Sequence, residues 1–157
     1  KVVSLTEIYE SVEWPVIVLL GSMIPLSVAL ERSGGTALIA EHVVRWTDGL
    51  PTVAVLALLM VITMTLSDVL NNVATALIAA PIGIDIAQRL DANPDAFLMA
   101  VAVSASCAFL TPIGHKNNTI ILGPGGYKFG DYWRMGLPLE VLVLLVGIPM
   151  ILLVWPL

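Results

Sequence analysis

Long apolar blocks separated by short polar segments run through this sequence of 157 residues. The first block, 14–30, has 17 residues and the last, 137–157, has 21. As helices they would be about 26 Å and about 31 Å long, against a bilayer hydrocarbon core of about 30 Å. Both are therefore predicted to span a membrane. Trp133 and Trp155 flank the last block, at the depth where interfacial aromatic residues lie.

The scarcity of charged side chains supports the same interpretation. Charged residues make up 12% of the chain and hydrophobic residues 58%, whereas a soluble domain has about 25% charged residues. So few polar side chains do not cover the surface of a soluble protein, and the composition predicts an all-α integral membrane protein. The single cysteine, Cys107, lies in an apolar run, which excludes a disulfide framework within the chain.

Two segments around the first block are amphipathic. Residues 1–13 are a lead-in to the predicted span 14–31, and the chain begins at Lys1 rather than at Met. We therefore expect it to be a piece of a longer polypeptide. In residues 36–49, apolar and charged side chains alternate at helical spacing, which predicts a helix lying along the membrane surface.

The middle of the chain does not fit simple spans. The apolar runs 51–66 and 73–87 have 16 and 15 residues, about 22–24 Å each as helices and therefore short of the hydrocarbon core. The polar stretch SDVLNN stands between them. Either two ordinary spans meet in a surface turn, or residues 51–90 form a re-entrant hairpin whose polar tip lies near the midplane. Pro81 and Gly83 in the second arm suit a helix packed within protein.

A second interruption follows in residues 96–123. Small residues predict a helix over 96–110 that neighbouring helices can approach closely. Thr111-Pro112-Ile113-Gly114 then breaks this helix, which resumes over 119–122 before GPGG stops it. Non-helical backbone at membrane depth is tolerated where protein buries it or where it lines a wet cavity. Two interruptions, each with an Asn-Asn pair, indicate a transporter-type binding site.

The asparagines at the interruptions suggest a specific chemistry. Asn72 could cap a helix beginning at Val73, and Asn117 or Asn118 could cap one beginning at Thr119. Two helix N-termini would then direct partial positive charge at one place and favour an anion, while the freed carbonyl groups could hold a cation. The alternative is that these asparagines only satisfy the broken backbone.

Charged and hydroxyl side chains at the same places leave further alternatives open. Lys116 could face the anion or replace a coupling sodium ion, or it could reach an interface or pair with Asp68. His115 could carry a proton or only donate hydrogen bonds. Ser67 and Thr111 offer oxygen atoms for a hard cation.

Both interruptions resemble one family. SDVLNNVATALIAAPI is similar to the hairpin tip of the divalent anion/sodium symporters, which include dicarboxylate and sulfate permeases, and SCAFLTPIGHKNNTIILGPGGYKFGDYWRMGLP resembles their broken helix. The second motif looks closest to permeases with regulatory RCK domains. The resemblance covers nearly the whole chain. It implies the C-terminal repeat of an inverted-repeat elevator transporter, usually a homodimer, with a re-entrant hairpin over 51–90 and a last span over 136–157. The tip of this hairpin, Asp68 to Asn72, is expected to approach Thr111 to Asn118 in the broken helix.

The resemblance also implies where ligands bind. The tip of the family reads Ser-Asn-Thr where this chain has Asn71, Asn72 and Val73, and its broken-helix loop reads Thr-Pro-Pro-Asn where this chain has residues 115–118. The predicted anion-binding residues are Asn71, Asn72, Val73, His115, Lys116, Asn117 and Asn118. The predicted cation-binding residues are Ser67, Leu70, Asn72, Thr111 and Gly114. No metal ion or cofactor other than sodium is expected.

These observations predict a secondary transporter of small divalent anions, sulfate or a dicarboxylate, coupled to sodium or protons. Its expected partners are the bilayer, its own N-terminal half and RCK domains, and a second copy, in a bacterial plasma membrane. No enzyme motif or nucleic-acid-binding stripe is present in the sequence. The alternatives are a cation/proton antiporter that uses Asp68 or Asp85, and a membrane scaffold.

Overall fold

A computed structural model describes residues 32–47, 49–70, 72–112 and 114–157, and also Gly21, Pro25, Val28 and Ala29. The predicted lead-in 1–13 lies outside the described residues, as does most of the predicted span 14–31. Within the described ranges the chain is helical and without β-strands, in agreement with the predicted all-α class. The helices are α1 (Gly35–Trp46), α2 (Thr52–Val69), α3 (Asn72–Arg89), α4 (Pro94–Ala105), α5 (Lys116–Leu122) and α6 (Tyr132–Val154), with a 3₁₀ turn at Phe129–Asp131 before α6.

Helices α2 and α3 form a helical hairpin with a very short tip. The first helix ends where Leu70 takes an extended conformation, and the second begins at Asn72. Each helix has 18 residues, about 27 Å. Helix α2 is longer than the predicted apolar run because Ser67 and Asp68 stay helical and buried despite their polarity, and α3 is longer because it includes Asn72, Gln88 and Arg89. The prediction that the first arm is too short to cross a membrane is therefore wrong, and length no longer distinguishes a re-entrant hairpin from two spans.

Helix α4 lies at the centre of the described bundle, packed against α2, α3 and α6. Its small residues allow this, since Ala96, Ala100 and Ser104 are fully buried. Gly83 of α3 lies close to both neighbouring helices: a Cβ atom there would lie 3.5 Å from Val101 of α4 and 3.4 Å from Leu59 of α2. The predicted role of small residues in close helix packing is thus confirmed. The surrounding core is apolar, with Leu56, Met60, Ile86 and Phe97 at its centre.

The interrupted helix breaks earlier than predicted. Helix α4 ends at Ala105 rather than at residue 110, and α5 resumes at Lys116 rather than at Thr119. The backbone N–H groups of Ser106 and Cys107 still bond to carbonyl groups three residues back. Beyond them the backbone instead bonds to the hairpin tip, so tertiary partners replace the helical ones. The segment 106–115 between α4 and α5 is called the helix break below.

Two of the described helices are long and apolar enough to cross a membrane by length and composition. The segments Thr52–Val69 and Phe129–Val154 have mean hydropathies of 2.1 and 2.6. The second segment contains α6 and begins several residues before the predicted span 136–157. Only 11% of its most apolar 18 residues are buried. Most of α6 therefore presents apolar side chains to its surroundings, among them Leu142, Leu145, Val146 and Leu153.

Helix α1 has the amphipathic character predicted for residues 36–49. Ala40 is fully buried, and the helix packs against α3. On the other face Arg45 donates to Glu41 at 2.7 Å, and Trp46 is 84% exposed. A large exposed aromatic ring next to charged side chains suits a membrane interface, and the position of α1 at such an interface stays a prediction.

Helix α6 reaches the helix break through Gly136. A Cβ atom at this position would lie 2.6 Å from the carbonyl carbon of Phe109. We expect Gly136→Ala to destabilise the complete protein by about 1–3 kcal/mol, because the neighbour is backbone and cannot rotate away. Gly147→Ala in the same helix is the matched control, since its nearest atom, Met60 Cε, would be 3.7 Å away. Equal denaturation midpoints of the two variants in detergent would contradict the close contact.

Candidate functional site

The tip of the α2–α3 hairpin contacts the helix break directly. The Ser67 hydroxyl donates to the carbonyl oxygen of Ala105 at 2.6 Å, and the Thr111 hydroxyl donates to that of Asp68 at 2.5 Å. Ser67 is fully buried. Carbonyl groups that lose their helical partners at each interruption are thus satisfied by the other one. The predicted approach of the tip to residues 111–118 is confirmed.

Asn72 bridges the two interruptions. Its amide orientation follows from the surrounding acceptors: the nitrogen faces the carbonyl oxygens of Gly114 at 2.9 Å and Ala105 at 3.1 Å, and the Ser67 hydroxyl at 3.0 Å. Helix α3 begins at Asn72 itself rather than at Val73. The predicted cap of a helix beginning at Val73 is therefore wrong, and the Asn72 amide group instead links the first turn of α3 to both ends of the helix break.

Gly114 allows the break to lie against the hairpin. A Cβ atom at this position would be 2.6 Å from the carbonyl oxygen of Ser67 and 3.2 Å from Asp68 Cα. Real Cβ atoms do not approach backbone this closely, so only glycine fits without moving the tip. The predicted cation-binding residues Ser67, Asn72, Thr111 and Gly114 are consequently neighbours in space, and Leu70 lies half-buried beside them.

Asn118 holds the break from its other side. Its amide nitrogen donates to the carbonyl oxygens of Ala108 at 3.1 Å and Thr111 at 3.2 Å. The backbone carbonyl oxygen of Asn118 accepts from the Tyr132 hydroxyl at 2.7 Å. These bonds agree with the alternative in which an asparagine satisfies broken backbone, and contact of Asn118 with a ligand stays a prediction.

The N-cap of α5 is His115, not Asn117 or Asn118 as predicted. Its Nδ1 atom accepts the backbone N–H of Asn117 at 3.2 Å. The prediction was wrong because α5 begins at Lys116, which puts both asparagines inside the first turn.

The remaining predicted anion-binding residues are only partly described. Val73 and Asn117 are solvent-exposed. Asn71 and the side chain of Lys116 lie outside the described part of the chain, and so does any contact between Lys116 and Asp68. The described anion-site candidates thus divide into groups that hold the break, Asn72, His115 and Asn118, and groups that are free to meet a ligand, Val73 and Asn117.

Glu140 was not among the predicted site residues. This residue lies in α6, is 8% exposed, and its carboxyl group is a neighbour of Asp68. Its oxygen atom Oε1 and Asp68 Oδ2 are both buried without a hydrogen-bond partner. A signal was available, since an acidic residue within an otherwise apolar span is rare and is a functional candidate.

An open pocket of about 620 Å³ lies on the far side of the break. Apolar side chains line most of it, including Phe109, Ile121, Met135 and Leu139. Among the predicted ligand-binding residues it includes only Asn118. Its apolar lining does not suit a doubly charged anion, so the hairpin tip and the break remain the better candidate.

Adjacent asparagines provide a test of how the break is held. We expect Asn118→Ala to destabilise the complete protein by about 1–3 kcal/mol, because the carbonyl groups of Ala108 and Thr111 would each lose a donor. Asn117→Ala is the control, since this side chain is exposed and such a change typically stays within about 0.5 kcal/mol. Thermal unfolding in detergent measures both. A fully stable Asn118→Ala protein would exclude this role.

Comparison with known proteins identifies the family. The citrate transporter family model matches residues 1–157. The chain is 40% identical over 149 residues to an uncharacterized transporter of Synechocystis sp., covering 95% of this chain and 24% of that protein. It is 32% identical over 139 residues to the sodium-dependent high-affinity dicarboxylate transporter 3 of Caenorhabditis elegans, covering 87% and 24%. It is 23% identical over 145 residues to the sodium-dependent dicarboxylate transporter SdcS of Staphylococcus saprophyticus, covering 89% and 28%.

The chain spans between 24% and 28% of the length of these relatives. The names of the relatives from C. elegans and S. saprophyticus confirm the resemblance to anion/sodium symporters that the two motifs suggested. The association with RCK domains stays a prediction. The match over all of its residues shows that the chain belongs to the citrate transporter family of integral membrane proteins.

Proposed function

We propose that the complete protein is a secondary active transporter of small divalent anions, sulfate or a dicarboxylate, driven by sodium or protons. The observation that carries this proposal is the direct contact between two helix interruptions, in which Asn72 reaches the carbonyl oxygen of Gly114. Polar, non-helical backbone within apolar helices is typical of transporter binding sites. The relatives from C. elegans and S. saprophyticus, both named as sodium-dependent dicarboxylate transporters, support the same substrate class.

The anion binds, in this proposal, on the open side of the contact between tip and break. Helix α3 begins there at Asn72, and the partial positive charge of its N-terminus favours an anion. The exposed residues Val73 and Asn117 border the same region. Lys116, the first residue of α5, supplies the cationic charge that a dianion requires.

The coupling cation binds on the buried side. The side-chain oxygens of Ser67 and Thr111 both lie at the contact between tip and break. The carbonyl oxygens of Leu70 and Gly114 and the amide oxygen of Asn72 complete a set of oxygen ligands, the type that hard cations prefer. This chain lacks the two hydroxyl groups that the family tip would have at positions 71 and 73, so we expect weaker sodium coupling than in the family.

The membrane arrangement is also part of the proposal. We infer a re-entrant hairpin α2–α3, an elevator-type movement, a homodimer and a bacterial plasma membrane location, with the N-terminal half and RCK domains in the same polypeptide. Support for the hairpin comes from its tip, where Ser67 and Asp68 are buried against the break. A turn at the membrane surface would leave such polar side chains in water.

A cation/proton antiporter is the competing function, and one observation favours it. Such a protein needs a buried acidic ion carrier, and Asp68 meets Glu140 inside the bundle. Asp85, the other sequence candidate, lines an open groove on α3 with Gln88, about 20 Å along the helix from Asn72. The competitor therefore depends on Asp68 rather than on Asp85.

Uptake of labelled succinate and labelled sulfate by the complete transporter in liposomes tests the proposal. We expect accumulation of at least one of them under a sodium or a pH gradient. We further expect Lys116→Ala to raise KM by the equivalent of about 1–3 kcal/mol, because a charge-assisted hydrogen bond to the anion is lost. Lys128→Ala, in the exposed segment before α6, is the matched control. Sodium–proton exchange without flux of either anion would favour the antiporter.

Cysteine labelling tests the hairpin. In a Cys107→Ser background, single cysteines at Leu50, Val69 and Asp95 would be treated with an impermeant maleimide from each side. All three residues are exposed in the described chain. We expect Leu50 and Asp95 to react from one side, and Val69 to be protected from the other by protein around the tip. Full reaction of Val69 from the opposite side would show two ordinary spans.

A further inference from the structure

The open pocket behind the helix break plays no part in the proposed anion and cation sites. It has a volume of about 620 Å³ and lies between α5, the start of α6 and the break. Its lining is largely apolar and includes Phe109, Ile121, Met135 and Leu139. Asn118 also lines it, but the amide nitrogen and backbone carbonyl of this residue already hold the break. A large, mostly apolar pocket with a few polar groups is typical of a small-molecule site.

Polar side chains join the lining near the start of α6. They are Tyr127, Asp131, Tyr132 and Arg134. One carboxylate oxygen of Asp131 accepts the backbone N–H of Lys128 at 2.8 Å. The segment 127–135 carries two basic side chains and one acidic one, so its net charge favours an anion. Within the described part of the chain no carboxylate forms an ion pair with the exposed Arg134, which is therefore available to an anionic ligand.

The start of α6 is expected to lie at a membrane surface. Helix α6 has 23 residues, about 35 Å, and the hydrocarbon core is about 30 Å thick, so its two ends reach the two interfaces. Phe129 and Trp133, at its N-terminal end, are exposed, as aromatic side chains at an interface are. Leu139 lies about 8 Å further along the helix axis than Arg134. The lining therefore runs from headgroup depth at Arg134 to acyl-chain depth at Leu139.

We propose that this pocket binds one phospholipid with an anionic headgroup. An acyl chain lies between α5 and α6 against Phe109 and Leu139, and the phosphate group meets the Arg134 guanidinium, whose paired N–H groups match its geometry. Basic pockets between membrane helices bind anionic lipid headgroups. Arg134 favours a lipid over an apolar segment of the remaining polypeptide, because such a segment would have no use for the charge. The inference does not depend on what the protein transports.

The position of the pocket gives the lipid a structural role. Helix α5 has seven residues, and the Tyr132 hydroxyl ties it to α6 by donating to the backbone carbonyl of Asn118 at 2.7 Å. An acyl chain in the open space beside this bond adds apolar contact between the two helices. The bound lipid therefore stabilises α5 and, through Asn118, the end of the break.

Two tryptophan substitutions fill the pocket independently of each other. Ile121→Trp and Leu139→Trp each place a large ring where the acyl chain would lie, and both positions are exposed enough to accept it. Leu142→Trp is the matched control, since this residue is exposed on α6 outside the lining. Arg134→Gln removes the charge that meets the headgroup. Its control is Arg45→Gln, an exposed arginine on α1 that does not line the pocket.

Native mass spectrometry of the complete protein, delipidated and then titrated with phosphatidylglycerol or phosphatidylcholine, measures binding of single lipids. We expect one tightly bound phosphatidylglycerol in wild type, in Leu142→Trp and in Arg45→Gln. Either pocket-filling variant should bind it at least about tenfold more weakly, because the loss of a few buried methylene groups is enough for that. Arg134→Gln should weaken phosphatidylglycerol about fivefold, to the level of phosphatidylcholine, because one basic residue contributes about that factor.

The outcomes assign or reject the lipid site. If wild type binds no phosphatidylglycerol, the rest of the polypeptide occupies the pocket and the proposal is wrong. It is equally wrong if Ile121→Trp and Leu139→Trp, eluting from gel filtration as wild type does, both bind the lipid as wild type does. Equal binding of the two lipids, or full binding by Arg134→Gln, would overturn the assignment to an anionic headgroup. Failure of anion uptake would overturn the proposed function and leave these results unaffected.

Discussion

The interruption between α4 and α5 makes the strongest demand on this structure. Ten residues, 106–115, leave the helical hydrogen-bond pattern within a chain that otherwise suits a membrane. Their carbonyl and N–H groups need partners from protein, since hydrocarbon offers none. The hairpin tip supplies several of them: the Asn72 amide donates to Gly114, and Asp68 accepts from Leu110. Asn118 supplies donors to two further carbonyl groups. The two interruptions therefore stabilise each other, and neither forms a satisfied structure alone.

This mutual dependence explains the distribution of small residues. The tip and the break approach until backbone meets backbone, which requires glycine at 114, and α6 approaches the same segment through Gly136. Alanines of α4 keep the helix axes close behind the break. Contacts of this kind leave little room for adjustment, because a packed interior transmits a change of one methyl group to its neighbours.

The pair formed by Asp68 and Glu140 gives the same junction an electrostatic element. Asp68 accepts from Leu110 of the break, and Glu140 is buried in the part of α6 that packs against the same segment. Two acidic side chains are thus buried where the hairpin, the break and α6 converge.

The sequence by itself determined the class of the protein and the places of both interruptions, because apolar periodicity and clustered polar residues are local properties of the chain. The family resemblance added the hairpin and its approach to the interrupted helix. The sequence also identified Asn72 and Ser67 as residues of the junction. The ends of the helices and the cap at His115 were decided by tertiary structure, since residues 106–110 exchange helical partners for the hairpin tip. Glu140 is the clearest case. Its sequence neighbourhood is a uniform apolar span, and only the packing of α6 against the break brings its carboxyl group to Asp68, some 70 residues away along the chain.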